Sequence, residues 1–160
     1  MVYLLALELH FPQKWITNHF RVFTLVGDGE LAEGSNWEAA LTASHYKLDN
    51  LCAIIDYNKL QITGPTHEVC NTDPIDAKFE SFGWAVRTVD GHDLIQLKDA
   101  FDSLPFSANK PSVVIAQTTK GKGVSYMENV VKWHHGVPDE KQYAQAISEL
   151  NNNDYYSRQT

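Results

Sequence analysis

The sequence has little cysteine, no excess of positive charge and no long apolar run, and each shortage excludes a class of protein. Two cysteines among 160 residues are too few for a disulfide framework, which favours a reducing cytoplasm. The formal net charge of −7 argues against nucleic acid and anionic membranes as partners. No stretch approaches the roughly 18–20 apolar residues of a membrane span, and the segment Met1–Phe11 lacks the basic start of a signal peptide.

Apolar residues make up 43% of the chain, enough for a sizeable core, and they alternate between strand-like and helical patterns. Strands are predicted at Arg21–Val26, Leu51–Asp56, Trp84–Val89 and Ser112–Thr118. Their near-continuous apolar composition is typical of strands that are covered on both faces. Helices are predicted at Leu31–Leu48, Leu94–Leu104 and Glu140–Leu150. A further helix is predicted to begin with Asp73 as its N-cap and Pro74 as its first helical residue.

This alternation predicts an α/β fold, a parallel sheet flanked by helices, whose ligands lie at the carboxyl ends of the strands. One domain is expected over residues 21–150, followed by a polar tail at 151–160. Residues 1–20 stay unassigned, because the helical pattern of Val2–His10 is interrupted by Pro12.

Polar residues follow two of the predicted strands at the point where each strand ends. Asp28 lies between two glycines after the first strand, and Asn58 follows the second strand thirty residues later. If the two strands are neighbours, both side chains project into one site. Carboxylate and carboxamide oxygens are hard ligands that suit Mg²⁺ or Ca²⁺, and Mg²⁺ in proteins often also binds phosphate. The pair therefore predicts a metal that holds a phosphorylated cofactor, although a lone GDG is more often an ordinary turn.

Five segments of the sequence carry a family resemblance. The segments GDGELAEGSNWEAA, SHYKLDNLCAIIDYNKLQITG, FGWAVRTVDGHD, KPSVVIAQTTKGKGVSYMEN and WHHGVP resemble transketolases, in particular the N-terminal, thiamine-diphosphate-binding chain of two-subunit transketolases. The resemblance covers Arg21 to about Leu150. It implies the thiamine-diphosphate-binding fold, in its diphosphate-binding form, with thiamine diphosphate and Mg²⁺ as cofactors and Ca²⁺ or Mn²⁺ as substitutes for the metal.

The resemblance also assigns roles to individual residues. The metal ligands match the side chains of Asp28 and Asn58 and the backbone carbonyl of Leu60. The cofactor-binding positions are Gly27, Asp28, Gly29, Glu30, Asn58, Leu60, Ile62, Lys120 and His135.

One histidine of the WHHG segment is expected to face cofactor and substrate. Counting back from Gly136 selects His135, whereas aligning on Trp133 and Pro138 selects His134. We prefer His135 as the catalytic residue.

The resemblance implies a transferase that moves a two-carbon ketol unit between sugar phosphates, in a homo- or hetero-oligomer. The family's pyrimidine-binding domain has no counterpart in this sequence, so a C-terminal transketolase subunit is the expected partner. Because the family has over a hundred residues before the GDG strand and only twenty precede Arg21 here, a truncated N-terminus is expected. Two alternatives stay open: a non-catalytic remnant that keeps the fold or interface, and another thiamine-diphosphate enzyme such as deoxyxylulose-phosphate synthase.

Overall fold

The computed structural model describes residues 20–152. The helical pattern at Val2–His10 and most of the predicted polar tail lie outside the described residues. The elements follow one another as β1 (Val22–Gly27), α1 (Gly34–His45), β2 (Leu51–Tyr57), β3 (Leu60–Gln61), β4 (Gly64–Pro65), α2 (Thr66–Val69), α3 (Ile75–Ser81), β5 (Ala85–Asp90), α4 (Leu94–Asp102), β6 (Ser112–Gln117) and α5 (Glu140–Asn152). Short 3₁₀ helices lie at Gly29–Ala32 and Val131–His134.

Four strands form one parallel sheet in the order β1-β2-β6-β5, which confirms the predicted α/β fold. Each predicted strand is present, with its ends shifted by no more than one residue. Strands β1 and β2 are neighbours, and Gly27 at the end of β1 pairs with Asp56 near the end of β2. A hairpin of β3 and β4, each two residues long, follows β2, and the sequence analysis did not predict it.

Hydrophobic clusters cover the two faces of the sheet. On one face, small residues of α1 and the apolar residues of α3 pack against alternate residues of the central strands. The small side chains of Ala39, Ala40 and Ala43 recur at helical spacing, so α1 lies close to the sheet. On the other face, Ala100 of α4 packs among Cys52, Val114 and their neighbours.

The expectation that every strand is covered on both faces is wrong for both edge strands, β1 and β5. In β5 only Val89 is buried, and Thr88 and Asp90 are exposed. The burial of β1 alternates, and Phe23 and Leu25 are 51% and 64% exposed. In the described part of the chain β1 is an edge strand, and Phe101 of α4 meets Phe23 edge-on, with 6.1 Å between the ring centroids. The central strands β2 and β6 are buried almost throughout, as predicted.

Two predicted helix starts also need correction. Helix α3 begins at Ile75 with Pro74 as its N-cap, one residue later than predicted, because Pro74 keeps an extended backbone. The carboxylate of Asp73 accepts a hydrogen bond from the Tyr57 hydroxyl and does not cap the helix. Helix α1 begins at Gly34 and not at Leu31, because the preceding residues form the 3₁₀ turn.

Between residues 20 and 152, every helix is too short or too polar to cross a membrane.

Candidate functional site

Asp28 lies at the carboxyl end of β1 and is held by the neighbouring strand. Its backbone N–H donates to the Asp56 carbonyl at 3.1 Å, which extends the β1–β2 ladder by one bond. One carboxylate oxygen accepts from the Gly29 N–H at 2.9 Å, and the other accepts from the Lys59 N–H at 2.7 Å. Only 1% of Asp28 is exposed. The carboxylate is therefore fixed across both strand ends.

Burial raises the pKa of Asp28 above its usual value. The two backbone N–H groups favour the charged form and lower the pKa in turn, while the nearby Asp56 carboxylate raises it further. A bound cation would stabilise the charged form of this side chain.

Asn58 lies two residues after Asp56, in the loop that leaves β2. Its side-chain carbonyl accepts from the Leu60 N–H at 3.0 Å, and its side-chain amide donates to the Asp56 carboxylate at 3.2 Å. Lys59, between Asn58 and Leu60, has a φ of 63°, a left-handed conformation that makes the tight turn. Asn58 is almost fully buried, so its amide is held in one orientation.

These strand ends open into a cavity of about 480 Å³. Eight of the nine predicted cofactor-binding residues line it: Gly27, Asp28, Gly29, Glu30, Asn58, Leu60, Ile62 and Lys120. His134 also lines the cavity, whereas His135 is not among the lining residues. The ring of His135 packs edge-on against that of His134, with 4.6 Å between centroids. The catalytic role of His135 stays a prediction.

The segment that carries the histidines is held by aromatic contacts. The indole N–H of Trp133 donates to the Tyr126 carbonyl at 2.8 Å, and the two rings lie 5.1 Å apart. The Tyr126 hydroxyl in turn donates to the Gln142 carbonyl of α5 at 2.7 Å. Partial desolvation of the ring, followed by the positive charge of Lys120, lowers the pKa of His134.

The 3₁₀ turn Gly29–Ala32 forms one wall of the cavity, and α1 holds it in place. The side-chain amide of Asn36 donates to the Glu30 carbonyl at 2.7 Å, and the indole of Trp37 donates to the Leu31 carbonyl at 2.7 Å. Gly29 itself lies against the side chain of Gln61, since a Cβ at this position would meet the Gln61 Cγ at 2.9 Å. Gly29 therefore presents only backbone atoms to the cavity.

The charge of the lining determines what the cavity can bind. Carboxylates of Asp28, Glu30, Glu33 and Asp56 line it, and Lys120 is the one lysine or arginine among the lining residues in the described part of the chain. An anionic ligand such as a diphosphate is repelled by this surface unless a cation accompanies it. A divalent cation fits, because the strand ends offer carboxylate and carboxamide oxygens.

Cation sites made of three or more His, Cys, Asp or Glu side chains are absent from residues 20–152. A metal in this cavity therefore depends on Asp28 together with amide and backbone oxygens, and on oxygens of the ligand. That donor set is the one that Mg²⁺ accepts when it binds with phosphates.

Besides His134, four lining residues were not among the predicted site residues: Ala32, Glu33, Asp56 and Gln61. Asp56 stands two residues before Asn58, and residues at that spacing point to the same side of a strand, so its position in the motif was a usable signal. Gln61 lies in the unpredicted hairpin, where its side-chain amide donates to the Gly29 carbonyl at 3.3 Å. No sequence signal marks Gln61, because its placement depends on the hairpin folding back over Gly29.

Comparisons with known proteins identify the family of this chain. Residues 4–155 match the family model "Transketolase, thiamine diphosphate binding domain". The chain is 47% identical over 131 residues to one subunit of an apulose-4-phosphate transketolase of Phocaeicola vulgatus, and 50% identical over 130 residues to the subunit of the same name from Actinobacillus succinogenes. These alignments cover 82% and 81% of this chain and 47% of each relative. The crystal structure of transketolase from Campylobacter jejuni superposes with a TM-score of 0.76 at 31% identity, covering 86% of this chain and 22% of that one.

Proposed function

Because this chain belongs to the transketolase family through its thiamine diphosphate-binding domain, we propose that it supplies the diphosphate- and Mg²⁺-binding half of a transketolase active site. A partner chain with the pyrimidine-binding domain completes that site. Together they transfer a two-carbon ketol unit from a ketose phosphate to an aldose phosphate. Both cysteines are free, which fits the proposed reducing cytoplasm.

The observation that carries this proposal is the convergence of Asp28 and Asn58 in an acidic cavity. The two side chains come from the ends of neighbouring strands and are both almost fully buried. A cofactor diphosphate needs a divalent cation to enter a cavity that is lined by four carboxylates. Asp28, Asn58 and the backbone carbonyl of Leu60 are the proposed ligands of that cation.

The other lining residues bind and orient the cofactor. The Lys120 ammonium attracts the anionic diphosphate, and the backbone at Gly27–Gly29 lies against it. Ile62 is 56% exposed and offers an apolar surface to the cofactor ring. When bound, thiamine diphosphate supplies the carbanion chemistry of ketol transfer. His135 or its neighbour His134 contacts the reacting oxygens of the substrate.

A separate partner chain is supported by the names of the relatives. The chain spans about half the length of the curated relatives it matches, and both relatives described above are named as one subunit of a transketolase. The partner that we propose is a C-terminal transketolase subunit. It provides the pyrimidine-binding wall and the glutamate that contacts the aminopyrimidine ring, in a homo- or hetero-oligomer.

Calorimetric titration of thiamine diphosphate into the full chain tests the cofactor site directly. We expect binding with Mg²⁺, loss of binding with a chelator, and loss in the Asp28→Ala variant. Asp90→Ala is the matched control, because Asp90 also ends a strand of this sheet but lies outside the cavity. Circular dichroism of each variant checks that the fold is retained. Mg²⁺-independent binding, or equal loss in both variants, contradicts the proposed metal site.

A second experiment tests the reaction. The full chain is mixed with the C-terminal subunit of a two-subunit transketolase, and ketol transfer is assayed with several ketose phosphates, including apulose 4-phosphate because of the names of the two relatives. Turnover that needs both chains supports the proposal. Turnover only with pyruvate as donor indicates a deoxyxylulose-phosphate synthase instead. Cofactor binding without turnover for any donor indicates a non-catalytic protein.

A further inference from the structure

Asp56 occupies a central position in the site, and the family resemblance gave it no role. It lies near the carboxyl end of β2, the strand between β1 and β6, and its side chain lines the cavity. Its backbone carbonyl accepts the hydrogen bond from Asp28, so both its main chain and its side chain contact proposed metal ligands.

The two carboxylate oxygens of Asp56 have different partners. One accepts from the side-chain amide of Asn58 at 3.2 Å. The other accepts from the hydroxyl of Thr118, the residue that follows β6. The Thr118 N–H also donates to the Tyr57 carbonyl at 3.1 Å, so this threonine is itself fixed to β2. Asp56 therefore links the two strand ends beside Asn58.

These contacts determine which way the Asn58 amide points. If the amide were flipped, its NH₂ group would face the Leu60 N–H, and its carbonyl would face the Asp56 carboxylate. Both contacts would be repulsive, since the first pairs two donors and the second pairs two acceptors. In the observed orientation the Asn58 carbonyl oxygen accepts one hydrogen bond and keeps a second lone pair for a cation.

We propose that Asp56 is a positioning residue that holds the Asn58 carboxamide with its carbonyl oxygen directed at the metal. This inference rests on the proposed function for the identity of the metal site. Residues that orient a metal ligand typically contribute about 10- to 100-fold to metal affinity. Asp56 binds the amide nitrogen of Asn58 and so acts through it.

The experiment compares Asp56→Ala with Asp56→Asn. Alanine removes both hydrogen bonds. The asparagine substitution can keep both, because the introduced amide oxygen accepts from Asn58 and the introduced NH₂ group donates to the Thr118 oxygen. The Thr118→Val variant keeps the carboxylate but removes its second partner. Asp90→Ala is again the control at a strand end outside the cavity.

Two measurements are made on each variant of the full chain. The first is the exchange rate of the Asn58 side-chain NH₂ protons by ¹⁵N NMR, without metal or cofactor. The second is the affinity for thiamine diphosphate in the presence of Mg²⁺. We expect Asp56→Ala to speed the exchange by about tenfold or more, as expected for one lost hydrogen bond. We expect it to weaken cofactor affinity by about 10- to 100-fold. Asp56→Asn restores slow exchange and most of the affinity.

The outcomes separate this proposal from the proposed function. Unchanged exchange at Asn58 in Asp56→Ala refutes the positioning role, whatever the affinity. Equal loss of affinity in Asp56→Ala and Asp56→Asn also refutes it, because charge alone would then explain the effect. If the wild-type chain shows no Mg²⁺-dependent binding, the proposed function fails, while the exchange rates still decide whether Asp56 holds Asn58. If Asp56→Ala does not fold, Thr118→Val takes its place, with a smaller rise in exchange expected and no rise counting against the proposal.

Discussion

The contact between Trp37 and the Leu31 carbonyl leads to a specific prediction about the turn that forms one wall of the cavity. The Trp37→Phe substitution removes the indole N–H but keeps an aromatic ring next to Phe79 and Phe82, which lie 5.4 and 5.7 Å from it between ring centroids. Leu31 is completely buried, so its carbonyl has little access to water as a replacement donor.

The expected cost follows from that burial. An unsatisfied buried carbonyl costs about 1–3 kcal/mol, and the smaller ring adds a fraction of that. We therefore expect the free energy of unfolding to fall by about 2 kcal/mol, equivalent to about 4–8 °C in Tm for a chain of this size. Urea unfolding followed by far-UV circular dichroism measures this, since tryptophan fluorescence is itself changed by the substitution.

Trp84→Phe is the matched control. The Trp84 indole donates to the Ala40 carbonyl at 2.9 Å, and this acceptor lies on α1, away from the turn. Both variants lose one indole hydrogen bond, yet only Trp37→Phe is expected to speed hydrogen exchange at the backbone amides of Leu31 and Glu33. Unchanged unfolding free energy in Trp37→Phe, or faster exchange in the turn of both variants, refutes the reasoning.

Three further predictions follow from single contacts. Phe79→Ala removes a completely buried ring and should cost about 3–5 kcal/mol in urea unfolding. Burial raises the pKa of Cys52 to about 12, so at pH 8 a thiol reagent should label the exposed Cys70 in the native chain and reach Cys52 only after denaturation. In the isolated chain, His134→Ala should weaken thiamine diphosphate binding about fivefold, the worth of one hydrogen bond, while His135→Ala leaves it unchanged, because only His134 lines the cavity.

Each of these has a clear contrary result. A loss below about 1 kcal/mol for Phe79→Ala would mean that the aromatic cluster repacks freely around the gap. Two reactive thiols in the native chain would mean that the sheet opens around Cys52. A larger loss of affinity for His135→Ala than for His134→Ala would mean that His135 contacts the cofactor, as the sequence analysis predicted.

The sequence predicted the sheet well because its signals are local. Buried strands such as β2 are short, apolar runs that end in polar residues, so their limits are visible in the chain itself. The adjacency of β1 and β2 was the assumption on which the site depended, and the structure confirms it. The predicted lining follows from that adjacency, since Asp28 and Asn58 leave neighbouring strand ends.

The predictions from sequence failed where tertiary contacts, and not local sequence, determine the structure. The Asp73 carboxylate accepts from the Tyr57 hydroxyl, a contact with no local signal, and helix α3 starts one residue late. The open face of β1 depends on which segments pack beside it, which the pattern of one strand does not report. Gln61 reaches the cavity only through a hairpin whose strands are two residues long.

The hydrogen bond from the Lys59 N–H to the Asp28 carboxylate couples ligand binding to the pairing of β1 and β2. It forms only when β1 and β2 are paired in the observed register, so a ligand that needs both strand ends selects correctly paired chains. Ligand binding and native pairing are then one linked equilibrium. Under the proposed function, the chain without thiamine diphosphate would open more often and be cleaved faster by a protease than the chain with the cofactor.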